Sequence, residues 1–330
     1  METIGRAVPA ALRVERTAAW ANLVRQQSGA VGSRQLRRMG VDWNAIATQV
    51  DAQRWQHPVH GVYVTFTGPL PRATRIAVAL VYGGAKAVLS HRTAAEEWEM
   101  LPKQDGPVHI TVPYGSSAVS QGEMIKVHRS RAYRHIVVAA DPPRTSRADT
   151  AIDVAVEEPD ARSARRVLTD LLTSGGVRPV QVEQQLGRRP PRRYRRALAA
   201  AVDLVRHGVQ SVLEEQYAVE VEQAHGIPPA RRQRPFAVDG VTLYEDATYD
   251  HIGVPLTVRL DGRTHLRAGT AFRDRRRDNA AELAGRSRLT FGWRDLSGDP
   301  CGGAAEVATV LQRWGWRGEV RRCAQCIGRA

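Results

Sequence analysis

Apolar residues in the first part of the chain recur at helical spacing. Trp20, Leu23 and Val24 lie three and four positions apart, which predicts the buried face of an amphipathic helix. A second, short helix is expected after it, because Ser33 suits a helix start and Gly40 suits a helix end. The pattern therefore predicts two short helices in close succession.

A third helix is predicted after Asp42, whose side chain can accept a hydrogen bond from the first turn. Its buried stripe is expected to consist of Trp43, Ile46, Ala47 and Val50. The opposite face is polar and carries Asn44, Thr48 and Gln49.

Two strands are predicted directly after this helix, around a turn at 57–61. Three helices followed by a β-hairpin are typical of a winged helix-turn-helix, whose third helix enters the major groove. There, Asn and Gln pair with base edges and arginines contact phosphates. The predicted DNA contacts are Asn44, Thr48 and Gln49 on the third helix, Arg34, Arg37 and Arg38 on the second, and Arg54 before the hairpin. The alternative is a winged-helix module that contacts protein, with its arginines in solvent.

Two segments divide the remaining chain. A turn cluster at 67–71 and a basic stretch at 187–196 predict three parts, 12–68, 69–205 and 206–330. The middle part has strand patterns at 108–112 and 125–128, and helix patterns at 161–172 and 195–205. It is therefore expected to be a mixed α+β platform, with a possible role in partner binding. Ser90 is interpreted as a helix cap rather than as a nucleophile paired with His91.

The last part alternates between helical and strand patterns of apolar residues. A helix is predicted from Val212, strands at 241–244 and 254–260, a helix at 271–284, a strand at 287–291 and a helix at 303–314. This order suits a compact α/β nuclease core. The whole chain is expected to be an α+β multidomain protein, with an N-terminal winged helix-turn-helix, a middle α+β domain and a C-terminal α/β restriction-endonuclease-like core.

Composition and charge indicate how many domains to expect and which class of partner the protein binds. With 330 residues, 42% hydrophobic and 25% charged, the chain is long enough for two or three globular domains. No apolar run is long enough to cross a bilayer and no secretory signal pattern is present, so we expect a cytoplasmic protein without a membrane partner. The net charge is +14, carried almost entirely by arginines, which predicts a polyanion partner such as double-stranded DNA. The alternative is a basic surface that is merely solvated.

Carboxylates in the last part suggest metal-dependent phosphodiester chemistry. Such hydrolysis uses Mg²⁺ on oxygen ligands and cations near the developing charge. Glu214 on a helix, Asp246 on a strand and the Asp261 region are candidates to converge, although each taken singly is more often a surface charge. The cations expected to track the DNA backbone are Arg273, Arg275, Arg276 and Arg277.

An ordered series of segments covers roughly the first half of the chain: 27–31 (QSGAV), 34–36 (RQL), 40–41 (GV), 54–55 (RW), 59–63 (VHGVY), 87–95 (AVLSHRTAA), 108–113 (VHITVP), 127–131 (VHRSR) and 149–155 (DTAIDVA). This series resembles the AbiEi-type antitoxins of type IV toxin–antitoxin systems, starting with their winged-helix domain. The resemblance implies a DNA-binding repressor of its own operon. It also implies a possible cognate partner, a nucleotidyltransferase toxin.

A second ordered series lies within about 211–316: 211–214 (SVLE), 224–228 (AHGIP), 244–246 (YED), 260–263 (LDGR), His265, 273–279 (RDRRRDN) and 289–295 (LTFGWRD). It resembles the PD-(D/E)xK endonuclease superfamily, in the branch related to very-short-patch mismatch-repair endonucleases. The resemblance implies that Glu214 and Asp246 serve the metal site.

One residue departs from that family pattern. Arg259 stands where the superfamily usually has a carboxylate, two positions before Asp261. A guanidinium there repels Mg²⁺ and can pair with Asp246, which favours an inactive nuclease. The very-short-patch branch also does without that carboxylate. By resemblance its metal site would use Asp246 and the carbonyl of Leu260, with Asp261 as the remaining oxygen donor and His265 as the base. Activity therefore stays open, with Mg²⁺ as cofactor only in an active enzyme.

Three cysteines complete the candidate chemistry. Cys323 and Cys326 form a CxxC motif and Cys301 lies upstream, so three thiolates can hold Zn²⁺ with one more ligand. The sequence does not identify that ligand, and His265 or another histidine is a guess. The alternative is a set of free cysteines, since three cysteines do not form a disulfide framework.

Overall fold

The computed structural model describes residues 17–174, 177–207, 209, 211–238, 241–261 and 285–327. They form helices and several β-sheets, which is the α+β class predicted from the sequence. They group into two compact units. The first unit holds the residues up to Glu157 together with Gln185–Pro190, and the second holds Glu158–Gln184 and the residues from Pro191 onward. Within the described ranges, none of the helices has the length and apolar character that a bilayer crossing needs.

The first unit begins with the predicted helices and hairpin, and adds one short strand between the first two helices. The elements are α1 (Thr17–Gln26), β1 (Ala30–Gly32), α2 (Ser33–Arg38), α3 (Trp43–Asp51), β2 (Gln56–Val59) and β3 (Val62–Val64). The strands form an antiparallel sheet in the order β1-β3-β2. Asp42 caps α3 as predicted, because its Oδ1 accepts a 2.7 Å hydrogen bond from the amide of Ala45. The cap of α2 is Gly32 rather than Ser33, and its amide donates to Oε1 of Gln35 at 2.8 Å.

A small aromatic core holds these elements together. The rings of Trp20 and Trp55 stack with centroids 5.6 Å apart, and Ile46 of α3 is buried in the same cluster. The predicted stripe is wrong at Trp43, whose side chain is 66% exposed. Trp43 is the first residue of α3, and side chains tilt toward the helix N-terminus, so this one projects past the core that Ile46 enters.

The rest of the first unit is built on a five-stranded sheet, ordered β6-β5-β4-β8-β7. Its elements are α4 (Arg72–Gly83), β4 (Val88–Leu89), α5 (His91–Glu97), β5 (Val108–Pro113), β6 (Ile125–Ser130), α6 (Tyr133–Ile136), β7 (Val137–Val138), β8 (Arg144–Thr145) and α7 (Arg147–Val156). The strands predicted at 108–112 and 125–128 are confirmed as β5 and β6, which pair in parallel. One hydrophobic core contains Val62 and Val64 of the small sheet and Ile110 of the large one.

The next four helices of the described chain are α8 (Ala161–Ser174), α9 (Pro179–Arg188), α10 (Arg195–Arg206) and α11 (Val212–Gln216), which continues as a π-helix (Tyr217–Gln223). Three of them, α8, α10 and α11, confirm predicted helices. Buried carboxylates of the last two segments meet arginines of α8: Glu215 pairs with Arg165, and Glu220 with Arg162. Burial still raises the pKa of Glu215, so its pairing with Arg165 offsets only part of the cost of burying this carboxylate.

A four-stranded sheet lies at the centre of the second unit. Its strands are β9 (Arg231–Val238), β10 (Val241–Thr248), β11 (Leu256–Asp261) and β12 (Ser287–Gly292), in the order β12-β11-β10-β9. The pairs β9–β10 and β10–β11 are antiparallel, and β11–β12 is parallel. Helices α12 (Trp293–Gly298), α13 (Pro300–Arg313) and α14 (Ala324–Ile327) follow. The helix predicted at 271–284 lies outside the described residues.

The sequence pattern did not predict β9. This segment is rich in arginine and includes Pro235, which pairs with Tyr244 of β10. Proline and charged residues are tolerated in edge strands, and β9 is an edge of this sheet. The strand therefore forms by pairing with β10 rather than by an alternating apolar pattern of its own.

Candidate metal centres and nucleic-acid interface

Four potential metal ligands meet in the second unit. The ligand atoms of His225, Cys301, Cys323 and Cys326 all lie within 4.8 Å of one another. The Sγ atoms of Cys301 and Cys323 are 3.6 Å apart, and those of Cys323 and Cys326 are 3.7 Å apart. Nε2 of His225 lies 3.5 Å from Sγ of Cys326. The three predicted cysteines are thus brought together, with a histidine as the fourth member.

The fold orients His225 toward the thiols. Its Nδ1 lies 3.2 Å from the carbonyl oxygen of Val221 in the π-helix, which favours a proton on Nδ1 and leaves Nε2 as an electron-pair donor. The amide of Arg321 donates to the carbonyl of His225 at 2.8 Å, so the segment that carries the CxxC motif is anchored to this histidine. The π-helix ends two residues before His225.

The three thiols are crowded together, and this affects the protonation of Cys301. Burial, with hydrogen bonds from Cys326 and Cys323, raises the pKa of the Cys301 thiol to about 12. A bound divalent cation reverses this preference, because thiolates are its ligands. The donor set therefore has the composition of a structural Zn²⁺ site.

His265, which the resemblance assigns as the base and which was a guess for the fourth ligand, lies outside the described residues. Sequence reasoning missed His225, which precedes Cys326 by 101 positions. The only sequence signal was chemical, since a set of three cysteines needs one more ligand to complete a tetrahedral site.

Two of the predicted nuclease carboxylates are positioned by secondary structure. Glu214 on α11 is 5% exposed, and its Oε1 accepts a 3.4 Å hydrogen bond from the side-chain Nε2 of Gln233. Asp246 lies on β10, and its Oδ2 accepts a 2.8 Å hydrogen bond from the backbone amide of Leu260. Asp246 thus contacts the N–H group of the Leu260 backbone, whereas the resemblance assigns the Leu260 carbonyl to the metal.

Among the described residues, the structure gathers no larger acidic group around Glu214 and Asp246. In the described part of the chain, the close groups of three or more His, Cys, Asp and Glu residues include neither Glu214 nor Asp246. Asp261 is the last residue of β11, and its side chain is not among those that the structure describes. The basic run of Arg273, Arg275, Arg276 and Arg277 also lies outside the described residues.

Arg259 is buried beside this region. It lies on β11, is 8% exposed and pairs in register with Thr290 of β12. On the other side, Ala247 of β10 pairs with Val258, so one further step along the two strands sets Asp246 opposite Arg259. The cation is thus on the strand next to the candidate metal carboxylate.

Three histidines meet in the first unit, in a cluster that the sequence analysis did not predict. Ring nitrogens of His91, His109 and His128 lie within 4.8 Å of one another. Nε2 of His128 is 3.2 Å from Nδ1 of His109, and the rings of His91 and His128 stack with centroids 3.5 Å apart. Oε1 of Glu157 faces this pair, at 3.7 Å from His109 Nδ1 and 4.0 Å from His128 Nε2.

Burial and nearby cations keep these imidazoles neutral. Burial, followed by neighbouring positive charge, lowers the pKa of His109 and of His128 to about 4. The same causes lower the pKa of His91 well below its usual value. Ser90 is the N-terminal capping residue of α5, as interpreted, but its hydroxyl lies 3.0 Å from Nδ1 of His91 and makes no cap hydrogen bond.

The predicted DNA-contact residues lie on the surface of α2 and α3. Asn44 and Thr48 are exposed on α3, and the hydroxyl of Thr48 donates to the carbonyl of Asn44 at 2.8 Å. Oε1 of Gln49 accepts a 2.7 Å hydrogen bond from Nε of Arg54. The exposed arginines of α2, which have no ion pair to a described residue, are Arg34, Arg37 and Arg38.

Compared with known proteins, the chain matches no family model and no curated protein. The geometry of the described residues and the chemistry of their side chains are therefore the grounds for assigning a function.

Proposed function

We propose that the chain is a DNA-binding transcriptional regulator in which residues 17–64 act as a winged helix-turn-helix. The observation that carries this proposal is the exposed polar face of α3, together with the exposed arginines of α2. The order of helices and strands and the sheet order β1-β3-β2 support it, because β2 and β3 then form the wing. The net charge of +14 suits a phosphate-rich partner.

Within this proposal the side chains of α3 take different roles. Asn44 is exposed and suited to pair with a base edge in the major groove. Gln49 holds the guanidinium of Arg54, so we assign Gln49 to positioning Arg54 against a phosphate rather than to reading a base. The arginines of α2 supply further phosphate contacts.

The test is binding to a duplex that carries the sequence upstream of the chain's own gene. We expect Asn44→Ala to lower affinity for that duplex about tenfold or more while leaving affinity for random DNA unchanged, since a good base contact contributes about 1–3 kcal/mol of discrimination. Asn44→Ala with Gln49→Ala should weaken binding further. Asn22→Ala, on the exposed surface of α1, is the matched control. Equal affinities for the native chain and the double variant would argue against the proposal.

The resemblance to type IV antitoxins adds a protein partner to this proposal. A nucleotidyltransferase encoded beside this chain is the candidate. Co-purification of the two products from a shared operon, with retention by the tagged chain, is the expected result. A neighbouring nucleotidyltransferase that elutes entirely free of the chain would remove the antitoxin part and leave DNA binding in place.

For the second unit we propose an endonuclease-like domain that does not cleave DNA. Support comes from the buried Arg259 on the strand next to Asp246, because a guanidinium opposes Mg²⁺ binding there. The alternative is an active Mg²⁺-dependent endonuclease targeted by the first unit. The proximity of Asp246 to the Leu260 backbone favours that alternative, since the resemblance implies a metal site formed by Asp246 and the nearby Leu260 carbonyl.

A plasmid-cleavage assay in Mg²⁺ or Mn²⁺ distinguishes an inactive endonuclease-like domain from an active endonuclease. We expect no nicking by the native chain, and weak metal-dependent nicking by Arg259→Glu, because that substitution replaces a repelling charge with a ligand. Arg288→Glu, on the neighbouring strand β12, is the control for added negative charge. Robust nicking by the native chain that is lost in Asp246→Ala would establish the active alternative.

We also propose that His225, Cys301, Cys323 and Cys326 hold a structural Zn²⁺. With Zn–S bonds of about 2.3 Å and Zn–N bonds of about 2.0 Å, a tetrahedral ion separates two sulfurs by about 3.8 Å and a sulfur and a nitrogen by about 3.5 Å. The observed separations of 3.6, 3.7 and 3.5 Å fit these values. The ion would join the end of the π-helix, the start of α13 and the terminal CxxC segment.

Metal analysis and thermal unfolding test this site. We expect Zn²⁺ to co-purify, and Cys326→Ser to lose that ion and lower the melting temperature of the second unit. Cys326→Ser without loss of zinc, or a native chain that neither contains Zn²⁺ nor gains stability from it, would exclude the site.

A further inference from the structure

We propose that the first unit carries its own divalent transition-metal site, formed by His91, His109 and His128, with the Glu157 carboxylate beside His109 and His128 as a further ligand. The site is separate from the cysteine cluster, and nothing in the sequence patterns pointed to it. Imidazole and carboxylate donors in this combination suit Zn²⁺ and related ions.

The fold brings these side chains together from four separate elements. In the parallel ladder of β5 and β6, Thr111 pairs with His128. His109 lies two residues before Thr111 and so shares its face of the sheet, which sets the two imidazoles side by side. His91 is the first residue of α5 and Glu157 follows the last turn of α7, and these two helices pack against each other.

The separations suit a single ion. For Zn–N bonds of about 2.0–2.1 Å, a tetrahedral ion separates its nitrogen ligands by about 3.4 Å. The contact of 3.2 Å between His128 Nε2 and His109 Nδ1 is close to that value. One oxygen of Glu157 faces the same two nitrogens, at 3.7 and 4.0 Å, so the three atoms form a triangle of the size that one ion spans.

The backbone at His91 is a second, independent observation. Its φ is +49°, in the left-handed region that a non-glycine residue seldom adopts, at the first position of a helix. This conformation places the ring in the stack with His128. Strained backbone of this kind persists where the surrounding structure holds a side chain in a required place, and it concentrates at ligand and active sites.

The groups around the histidines supply an outer hydrogen bond and leave one side of the site open to solvent. The Ser90 hydroxyl, 3.0 Å from Nδ1 of His91, is placed as an outer hydrogen-bond partner that orients this ring. His109 is almost fully buried, whereas the side chains of His128 and Glu157 are 27% and 38% exposed. An ion held here therefore has access to solvent, which leaves room for a water molecule or another small ligand.

The test uses the full-length chain, stripped of metal and then titrated with Zn²⁺ and with Co²⁺. The variant Cys323→Ser/Cys326→Ser removes the thiol cluster, so binding in that background reports on the histidines alone. We expect it to bind one equivalent of Co²⁺ with the visible absorption of a low-coordinate ion and no thiolate charge-transfer band. Zn²⁺ should raise its melting temperature, because a ligand of the folded state stabilises that state.

In the same background, His109→Gln/His128→Gln should abolish both effects. His135→Gln changes an exposed histidine of the same unit and should leave both unchanged. If the double histidine variant does not fold, the Co²⁺ spectrum and Zn²⁺ shift of the cysteine variant still decide the matter. Absence of both in that variant would overturn the proposal, as would a folded histidine variant that still binds the ion. A finding that His225 and the three cysteines do not bind Zn²⁺ would leave this result unaffected.

Discussion

At the scale of single residues, arginines of this chain serve two different roles. Arg189 belongs to the basic stretch 187–196, yet its guanidinium bonds Asp153 at 2.8 Å and Asp149 at 3.1 Å. Asp149 is fully buried, and burial is the main cause that raises the pKa of both carboxyls. Arg37 and Arg38 of α2, in contrast, are exposed. A count of arginines therefore overstates the number of cations available to bind a polyanion.

This difference predicts unequal effects of neighbouring substitutions. Arg189→Met should lower the free energy of unfolding by about 3 kcal/mol, because it leaves two buried carboxylates without their cation. Arg188→Met, at an exposed position, should change it by less than about 0.5 kcal/mol. Urea unfolding followed by circular dichroism gives both values. Equal stabilities of the two variants would contradict the assigned role of Arg189.

At the scale of elements, the corner after the π-helix controls the cysteine cluster. Gly226 has a φ of +70°, and a Cβ placed there would lie 3.1 Å from Cδ and Nε of Arg321. Arg321 also donates its amide to the carbonyl of His225. The contact between this corner and the terminal segment thus depends on the lack of a side chain at Gly226.

Gly226→Ala is therefore expected to weaken Zn²⁺ binding about tenfold, the lower end of the effect of disturbing groups around a metal site. Gly253→Ala is a matched control, since Gly253 has a φ of +79° and no neighbour within 4 Å of its Cβ position. Both variants carry the same backbone strain, but only the first pushes against Arg321. Competition with a chromogenic chelator measures the affinities, and equal values would show that the Arg321 contact is unimportant.

At the scale of the whole molecule, folding buries titratable groups whose pKa values move in opposite directions. The histidine cluster is neutral when buried, with the pKa of His109 and His128 lowered from 6.5 to about 4. Burial raises the pKa of Asp153 to about 6. The two kinds of group therefore oppose each other as the solution becomes acidic.

The direction in which stability changes with pH follows from which state, folded or unfolded, takes up protons first. Below pH 6.5 the unfolded chain protonates these histidines while the folded chain resists, so their stabilising effect is complete above pH 6.5 and is lost as pH falls toward 4. Asp153 has the opposite effect. Because its pKa is raised to about 6 in the folded state, the folded protein is stabilised as pH falls through that value. The difference between the native chain and His109→Gln/His128→Gln isolates the histidines. In the presence of a chelator, we expect the stability advantage of the native chain to shrink between pH 6.5 and pH 4. A difference that is constant with pH would contradict this assignment.

Local patterns predicted many elements correctly. The first helices, the cap at Asp42, strands β5 and β6 and helices α8 and α10 follow from spacing and capping chemistry, which act within a few residues. Trp43 and β9 were missed for different reasons. Trp43 is exposed because it is the first residue of α3, a helix boundary that the apolar spacing did not resolve. The arginine-rich edge strand β9 depends on pairing with β10.

The sequence by itself determined where many of the helices and strands form, the excess of positive charge and the presence of three cysteines with metal-binding chemistry. It did so because hydrophobic periodicity, capping and ligand softness are properties of single residues and short segments. Only the tertiary structure decided that His225 joins the cysteines, that three histidines and Glu157 converge, and that Arg189 pairs with buried carboxylates. These contacts join residues far apart in the chain, and their formation depends on how strands register and helices pack, which no local pattern encodes.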